Sequence, residues 1–269
     1  MGGSLAAAAR KKFPSCQVVG VARRAETLKA AQRKKWIHAR FLDVNLNQAL
    51  DKSDLVVLCT PVDLIPRYLK EIDRLAVQPV VVTDIGSVQA SDADYLKVTR
   101  KKKWNFVRFT GAHPMVGSHE RGIEAARPNL YENGLTLITG KKNKTGFDTV
   151  CFFWKKISRE VKVLPPSEHN ALVAQISHLS HLLSVCLAQT PTADAYAIAG
   201  AGFKDTTRLA EGDASVWAPI FQQNKAEVLK AIRAFNSNLA QFESALKSKN
   251  PARLIKLLKQ AAERRATLR

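Results

Sequence analysis

Apolar and polar positions change their rhythm several times along the first two thirds of the chain. Residues 4–12 (SLAAAARKK) have helical periodicity, 17–22 (QVVGVA) form an apolar run of strand length, and 25–35 return to a helical pattern. The run 54–60 (DLVVLCT) has almost no polar interruption, and after it come a helix over 63–75, a strand at 80–84, a helix near 90–99 and strands at 106–109 and 135–139. Strands that are apolar throughout have no face to give to water, and with helices between them they predict a parallel sheet covered on both sides. The fold class is therefore α/β, a doubly wound, Rossmann-like nucleotide-binding domain followed by an all-α domain. From Pro165 onward, 167–189, 216–247 and 251–267 are helical in period without a strand candidate, and Pro191 and Gly200–Gly202 separate them. Two domains are expected, at 1–164 and 165–269.

A dinucleotide-binding sheet opens with a strand running into G-x-G-x-x-G, whose glycines let the backbone approach a pyrophosphate at a helix N-terminus. Met1-Gly2-Gly3-Ser4-Leu5 looks like the last part of such a turn, with Gly2 as the third glycine. The expectation is that the first strand and first two glycines are missing, that Met1 is an internal methionine, and that the working protein carries upstream residues. The second strand ends in Val21-Ala22-Arg23-Arg24. NAD-specific folds place an acid there for the ribose hydroxyl, whereas a 2′-phosphate repels an acid and suits arginine. NADP is therefore expected in preference to NAD.

Charge adds a constraint. Lys and Arg number 42 against 23 Asp and Glu, a net +19, so an anionic partner is the default. Nucleic acid is not expected, because aromatic-basic interleaving, zinc spacing and recognition motifs are missing. No run of about eighteen apolar residues and no signal peptide is apparent, which gives no membrane partner and a cytoplasmic expectation. Cys16, Cys59, Cys151 and Cys186 are widely spaced and read as thiols rather than disulfides or metal ligands.

Polar residues gather in four segments: Thr83-Asp84-Ile85-Gly86-Ser87-Val88, Gly111-Ala112-His113-Pro114-Met115-Val116-Gly117-Ser118, Ile176-Ser177-His178-Leu179-Ser180-His181, and Gly202-Phe203-Lys204-Asp205-Thr206-Thr207-Arg208. With the two-domain order, these resemble the prephenate/arogenate dehydrogenase family of tyrosine biosynthesis, from Gly2 to about Lys259. G-A-H-P-M-x-G-S is the specific block, supported by S-H-L-x-H and G-F-K-D-x-T-R.

The resemblance implies an oxidative decarboxylation in which hydride leaves C4 of a 4-hydroxycyclohexadiene for a nicotinamide, the C1 carboxylate departs as carbon dioxide, and the ring becomes aromatic. Such an enzyme needs a base for the C4 hydroxyl and a hold on a dianion. His113 is the candidate base, since imidazole takes a proton near neutral pH, and Ser87 is the candidate to hydrogen-bond that His or the hydroxyl. Arg208 is the candidate carboxylate clamp, with Lys204 assisting; the resemblance also places His178, His181 and Ser118 at the substrate. Gly2, Gly3, Arg23, Arg24, Thr60, Pro61, Asp84 and Gly86 are assigned to the cofactor, and no metal is needed. It further implies a homodimer through the helical domain.

The chain departs from the family pattern at Gln89, where a Lys commonly stands, at Ser180 in place of Pro, at His119-Glu120 after the G-S pair, and at Asn170 after the E-H pair. Asn170 puts in doubt a salt bridge to Arg208. Of these positions only Glu120 offers an acid for a substrate ammonium, so prephenate is expected over arogenate. The competing readings are a β-hydroxyacid dehydrogenase-like reductase using Lys204, and a cofactor-deficient basic relic that binds nucleic acid.

Overall fold

Three small sheets with helices packed around them make up the first half of the chain. The computed structural model describes residues 1–51, 53–117, 120, 122–140, 145–248 and 250–268. Helix α1 (Gly2–Lys12) leads into β1 (Val19–Ala22), α2 (Ala25–Arg33) and β2 (Ala39–Leu42), and β1 and β2 pair in parallel. A short helix α3 (Leu46–Leu50) precedes β3 (Leu55–Leu58), α4 (Ile65–Leu75), β4 (Val80–Asp84), α5 (Asp92–Val98) and β5 (Val107–Phe109), and these three strands form a parallel sheet in the order β3-β4-β5.

β1 and β3 lie in separate sheets, and α1 packs against both of them. Its Ala6 contacts the cluster of Leu28, Ala31 and Ile37, whereas Leu5 and Ala8 join Tyr131 and Trp154 in a cluster that Leu55 and Val57 pack against. Val19 and Val21 on β1 remain 38% and 40% exposed.

The expectation of parallel pairing holds for the first two sheets and not for the third. The stretch after Phe109, for which no strand is expected before 135, is strand β6 (Gly111–Pro114). It runs antiparallel to β7 (Leu135–Thr139), whose other edge takes β8 (Glu160–Leu164) in parallel. All four residues of β6 are buried. Gly111 is required by packing, since a Cβ there would stand 2.0 Å from Gln89 Oε1 and 2.5 Å from Thr139 Oγ1. Between β7 and β8 runs α6 (Phe147–Ile157), whose Val150, Trp154 and Ile157 are buried.

Asp73 of α4 ties the lower end of the sheet together. Its Oδ1 accepts the N–H groups of Asn105 (2.8 Å), Phe106 (2.8 Å) and Val107 (3.1 Å), and Oδ2 is paired with Lys101. Burial alone would raise this carboxyl's pKa, but the Lys101 ammonium and the backbone donors outweigh it and hold it below the usual range.

The second half is helical, as its periodicity predicts. α7 (Pro166–Val173) passes through a five-residue π-helical turn (Ala174–His178) into α8 (Leu179–Gln189). The resulting 24-residue helix is long and apolar enough to cross a membrane, so the expectation that no segment reaches that length is corrected. Glu168 is its sole Asp, Glu, Lys or Arg, and the interleaved Ser and His residues conceal the apolar character from a search for unbroken runs. His169, His178 and His181 on it are buried against this chain's own residues. Then come α9 (Ala193–Ala197), α10 (Ala201–Thr207), a 3-10 turn (Arg208–Glu211), α11 (Ala214–Gln223), α12 (Lys225–Lys247) and α13 (Pro251–Ala266). The single helix expected over 216–247 is broken at Asn224, whose side chain turns inward to bond with α7 and the π-turn.

Candidate active site

β4 ends in a buried polar joint. Asp84 is fully buried and accepts the N–H of Gly86 (3.1 Å), the N–H of Ala112 (2.9 Å) and the Gln89 amide (3.2 Å). Burial raises its carboxyl pKa to about 7, against the lowering effect of those donors. The Gln89 amide nitrogen is also within reach of the carbonyls of Gly86 (2.8 Å) and Ala112 (3.2 Å), and its Oε1 accepts the Thr139 hydroxyl at 2.7 Å. A lysine would have three donors and no acceptor here; glutamine joins β4, β6 and β7 with both.

β6 then delivers His113, 8% exposed, against α7. His113 Nδ1 lies 2.9 Å from His169 Nε2, and His169 Nδ1 lies 3.0 Å from Asn170 Oδ1. Asn170 in turn grips the Gln89 backbone, accepting its N–H at 2.9 Å and donating to its carbonyl at 2.7 Å. Asn224 donates to the Asn170 carbonyl at 2.9 Å and sits 3.1 Å from His178 Nδ1. His181 stacks on Trp217, ring centroids 3.6 Å apart.

All four imidazoles are held neutral. Burial, then the neighbouring His169 and His178, lower the His113 pKa to about 3; burial and His169 lower that of His178 to about 4; burial lowers those of His169 and His181. A neutral imidazole has one unprotonated nitrogen, so each ring of a buried cluster of this kind can accept a hydrogen bond while burial opposes its charged form. His178 Nε2 and His181 Nδ1 are buried without a hydrogen-bond partner within normal bonding distance. Buried polar atoms are rarely left so unless a ligand or water completes them.

The remaining expected residues are distributed unevenly. Gly2 and Gly3 form the first turn of α1, which has neither a side-chain cap nor an acid. A Cβ on Gly2 would be 3.1 Å from that of Cys59, so this helix end meets the end of β3, where Thr60 Oγ1 is buried and unpartnered beside Pro61. Arg23 and Arg24 are exposed just past β1.

Two groups of expected residues are engaged within the chain itself. Asp84 and Gly86 are buried, and the carboxylate is taken up by the chain's own donors, so they shape the strand end from beneath. Ser87 places its backbone, which raises the His178 pKa, near that ring, and its hydroxyl does not bond His113; His169 holds that nitrogen. Lys204 and Arg208 are exposed and form no bond with the histidines among the described residues. The turn carrying Arg208 nonetheless closes on α8: Ala210 N–H donates to Ser184 Oγ at 3.0 Å, and a Cβ on Gly212 would be 2.5 Å from His181. Ser118 lies outside the described residues. His169, Asn224 and the hub role of Gln89 were not anticipated. The signal for His169 was a histidine one turn into an apolar helix, indistinguishable by pattern from a packed core residue.

Comparison with known proteins accords with this arrangement. Residues 5–163 match the family model for the prephenate dehydrogenase nucleotide-binding domain, and residues 165–260 that for the prephenate dehydrogenase dimerization domain. A prephenate dehydrogenase of Lactococcus lactis subsp. cremoris is 28% identical over 248 residues, covering 89% of this chain and 66% of that protein. The chain thus spans about two thirds of that relative's length. The crystal structure of prephenate dehydrogenase from A. aeolicus in complex with hydroxyphenyl propionate and NAD+ superposes with a TM-score of 0.88 at 26% identity, over 100% of this chain and 95% of that one. The Synechocystis arogenate dehydrogenase gives a TM-score of 0.79 at 25% identity, over 99% and 95% of the two chains. With both domain models matched across nearly the whole chain, it belongs to the prephenate dehydrogenase family, nicotinamide-dependent oxidoreductases of tyrosine biosynthesis that act by oxidative decarboxylation.

Proposed function

We propose that this chain converts prephenate and NADP+ into 4-hydroxyphenylpyruvate, carbon dioxide and NADPH. The observation that carries the reading is His113: buried, neutral, and held by His169 at the strand ends where doubly wound sheets bind ligands. Its free nitrogen takes the C4 hydroxyl proton as the C4 hydrogen leaves as hydride and the carboxylate as carbon dioxide, and returns that proton to the phenolate oxygen of the aromatic product. His178 Nε2, with the Ser87 backbone near its ring, and the unpartnered His181 Nδ1 meet the polar groups of the substrate. Arg208, on the turn against α8, binds one carboxylate bidentately, with Lys204 assisting.

The nicotinamide, when bound, supplies the hydride acceptor. The chain's residues suit a dinucleotide: the uncapped α1 N-terminus with Gly2 and Gly3 offers N–H groups to a pyrophosphate, and Thr60 offers an unsatisfied hydroxyl. Arg23 and Arg24, with no acid beside them, favour NADP over NAD. Prephenate is preferred to arogenate because Glu120, the acid that would suit an ammonium, is ion-paired with Arg127. A homodimer is supported by the exposed Leu172, Ile176 and Leu187 on α7, the π-turn and α8. The cytoplasm is the compartment this reading assigns.

The test is reduced-nicotinamide formation from prephenate or arogenate with NADP+ or NAD+. Prephenate with NADP+ is expected to give the highest kcat/KM. His113→Asn should lower kcat by about a thousandfold with the circular dichroism spectrum unchanged. No turnover with any of the four pairs overturns the proposal.

A further inference from the structure

The polar chain behind His113 has a direction. Asn170 cannot be turned over, because its amide is clamped on both sides by one backbone residue: Gln89 N–H donates to Oδ1 at 2.9 Å and the Gln89 carbonyl accepts from Nδ2 at 2.7 Å. A flipped amide would set donor against donor and acceptor against acceptor. Oδ1 therefore also faces His169 Nδ1 at 3.0 Å, and that nitrogen must carry the hydrogen. In a neutral ring the other nitrogen, Nε2, is then bare. It lies 2.9 Å from His113 Nδ1, which must be the donor. Each step leaves one choice, and the last leaves His113 with its lone pair at Nε2.

We propose that Asn170 is a positioning residue which, through His169, fixes His113 in the Nδ1–H tautomer, so that Nε2 is the nitrogen offered to the proton released in the reaction. This rests on the functional reading above for the identity of that proton, but the tautomer itself does not depend on it. The device ends in a neutral amide. A proton arriving on His113 is stabilised by the His169 lone pair but has no carboxylate at the end of the chain to draw the pair toward the doubly protonated state. The groups against the pair are few: Asp84 meets it through the Ala112 N–H, His178 lies beside both rings with His181 behind it, Glu168 on α7 is exposed, and Gln89, Asn170 and Asn224 are neutral. Gln89 thereby gains a second function, since its backbone is the fixed end of the relay while its side chain is locked by Asp84 and Thr139.

Long-range proton–nitrogen NMR correlations on the uniformly 15N-labelled protein read the tautomers without any variant. The expected result at neutral pH is Nδ1–H for both His113 and His169; an Nε2–H tautomer on either ring overturns the proposal. Two variants extend it. Asn170→Asp gives up the donor to the Gln89 carbonyl but keeps the oxygen that accepts from the Gln89 N–H and from His169, and adds a charge, so both tautomers persist and the acid limb of the kcat–pH profile moves up by about one unit. Asn170→Leu removes the acceptor, so His169 loses its single tautomer and kcat falls about tenfold while KM stays within about twofold. Unchanged spectra and an unchanged kcat in Asn170→Leu would also overturn it. If the wild-type protein turns over no substrate but shows the two Nδ1–H rings, the functional reading fails and the relay stands.

Discussion

Asp73, on α4 against the start of β5, and Asp84, at the end of β4, are both buried carboxylates, each gathering three N–H donors, and their pKa values move in opposite directions. Asp73 sits below its usual range and Asp84 is raised to about 7. The donors are comparable, and two things differ: the Lys101 ammonium pairs with Asp73, and the burial that opposes the charged form is deeper around Asp84. Hydrogen bonds to the charged form lower a pKa in both places; a neighbouring cation adds to them at Asp73, whereas deeper burial overrides them at Asp84. Asp73 closes the start of β5, at the end of the sheet away from the histidines. Asp84 lies beneath the site, where a lysine-type partner would put a fixed positive charge beside rings that are neutral at rest.

The largest effect should come from Asp73→Ala. It leaves three N–H groups and an ammonium without their acceptor, and chemical denaturation should show a loss of about 4 kcal/mol. Asp84→Asn should cost about 2 kcal/mol at pH 5, because one amide oxygen can still accept from Ala112 while the amide nitrogen confronts a donor. Lys101→Met tests the comparison directly. It should cost about 1 kcal/mol and shift Asp73 upward, making it behave like Asp84; an unshifted Asp73 would mean that the backbone donors alone set its pKa.

The pH dependences sharpen the contrast. Asp73 has a lowered folded pKa, so its contribution is present above about pH 4 and is lost as pH falls below that, and the cost of Asp73→Ala shrinks in acid. Asp84 has a raised folded pKa, so its proton stabilises the folded state below about pH 4 and that stability is lost as pH rises toward about 7. The cost of Asp84→Asn should therefore shrink in the other direction, as pH rises. Parallel slopes for the two variants would refute the assignment.

The α/β half was legible where burial is two-sided: β4 and β7 fall at the expected residues, and their VVVTD and LTLIT runs, rich in β-branched residues and leucine, are the reason. β2 and β8 escaped notice because their burial is partial and their sequences, ARFL and EVKVL, look like ordinary surface. β6 was hidden by its own composition, since Gly111 and Pro114 signal a turn, and only the close approach of Gln89 and Thr139 explains a glycine in a strand. In the site, His113, His178 and His181 were visible as polar residues in apolar surroundings, whereas the bond that matters most to His113 joins residues 56 positions apart. Ser87 was the nearer partner in pattern and His169 the nearer in space. Asp84 misled for a related reason: an acid at a strand end looks like a ligand-binding group until its burial is known.

The wide turn at Ala174–His178 settles a matter of phase. His169 and His178 are nine positions apart, and at about 100° per residue an ordinary helix would carry them to opposite sides, about 180° round the axis. A π-turn absorbs one residue's worth of rotation and leaves them about 80° apart. Both rings can then enter the same buried cluster, and His181 comes to within about 20° of His169. The helix therefore counts one residue fewer than the gene does. A protein of this architecture with one residue deleted between the two histidines would keep their alignment on a plain α-helix, whereas one with a residue added could keep it only by widening the helix again.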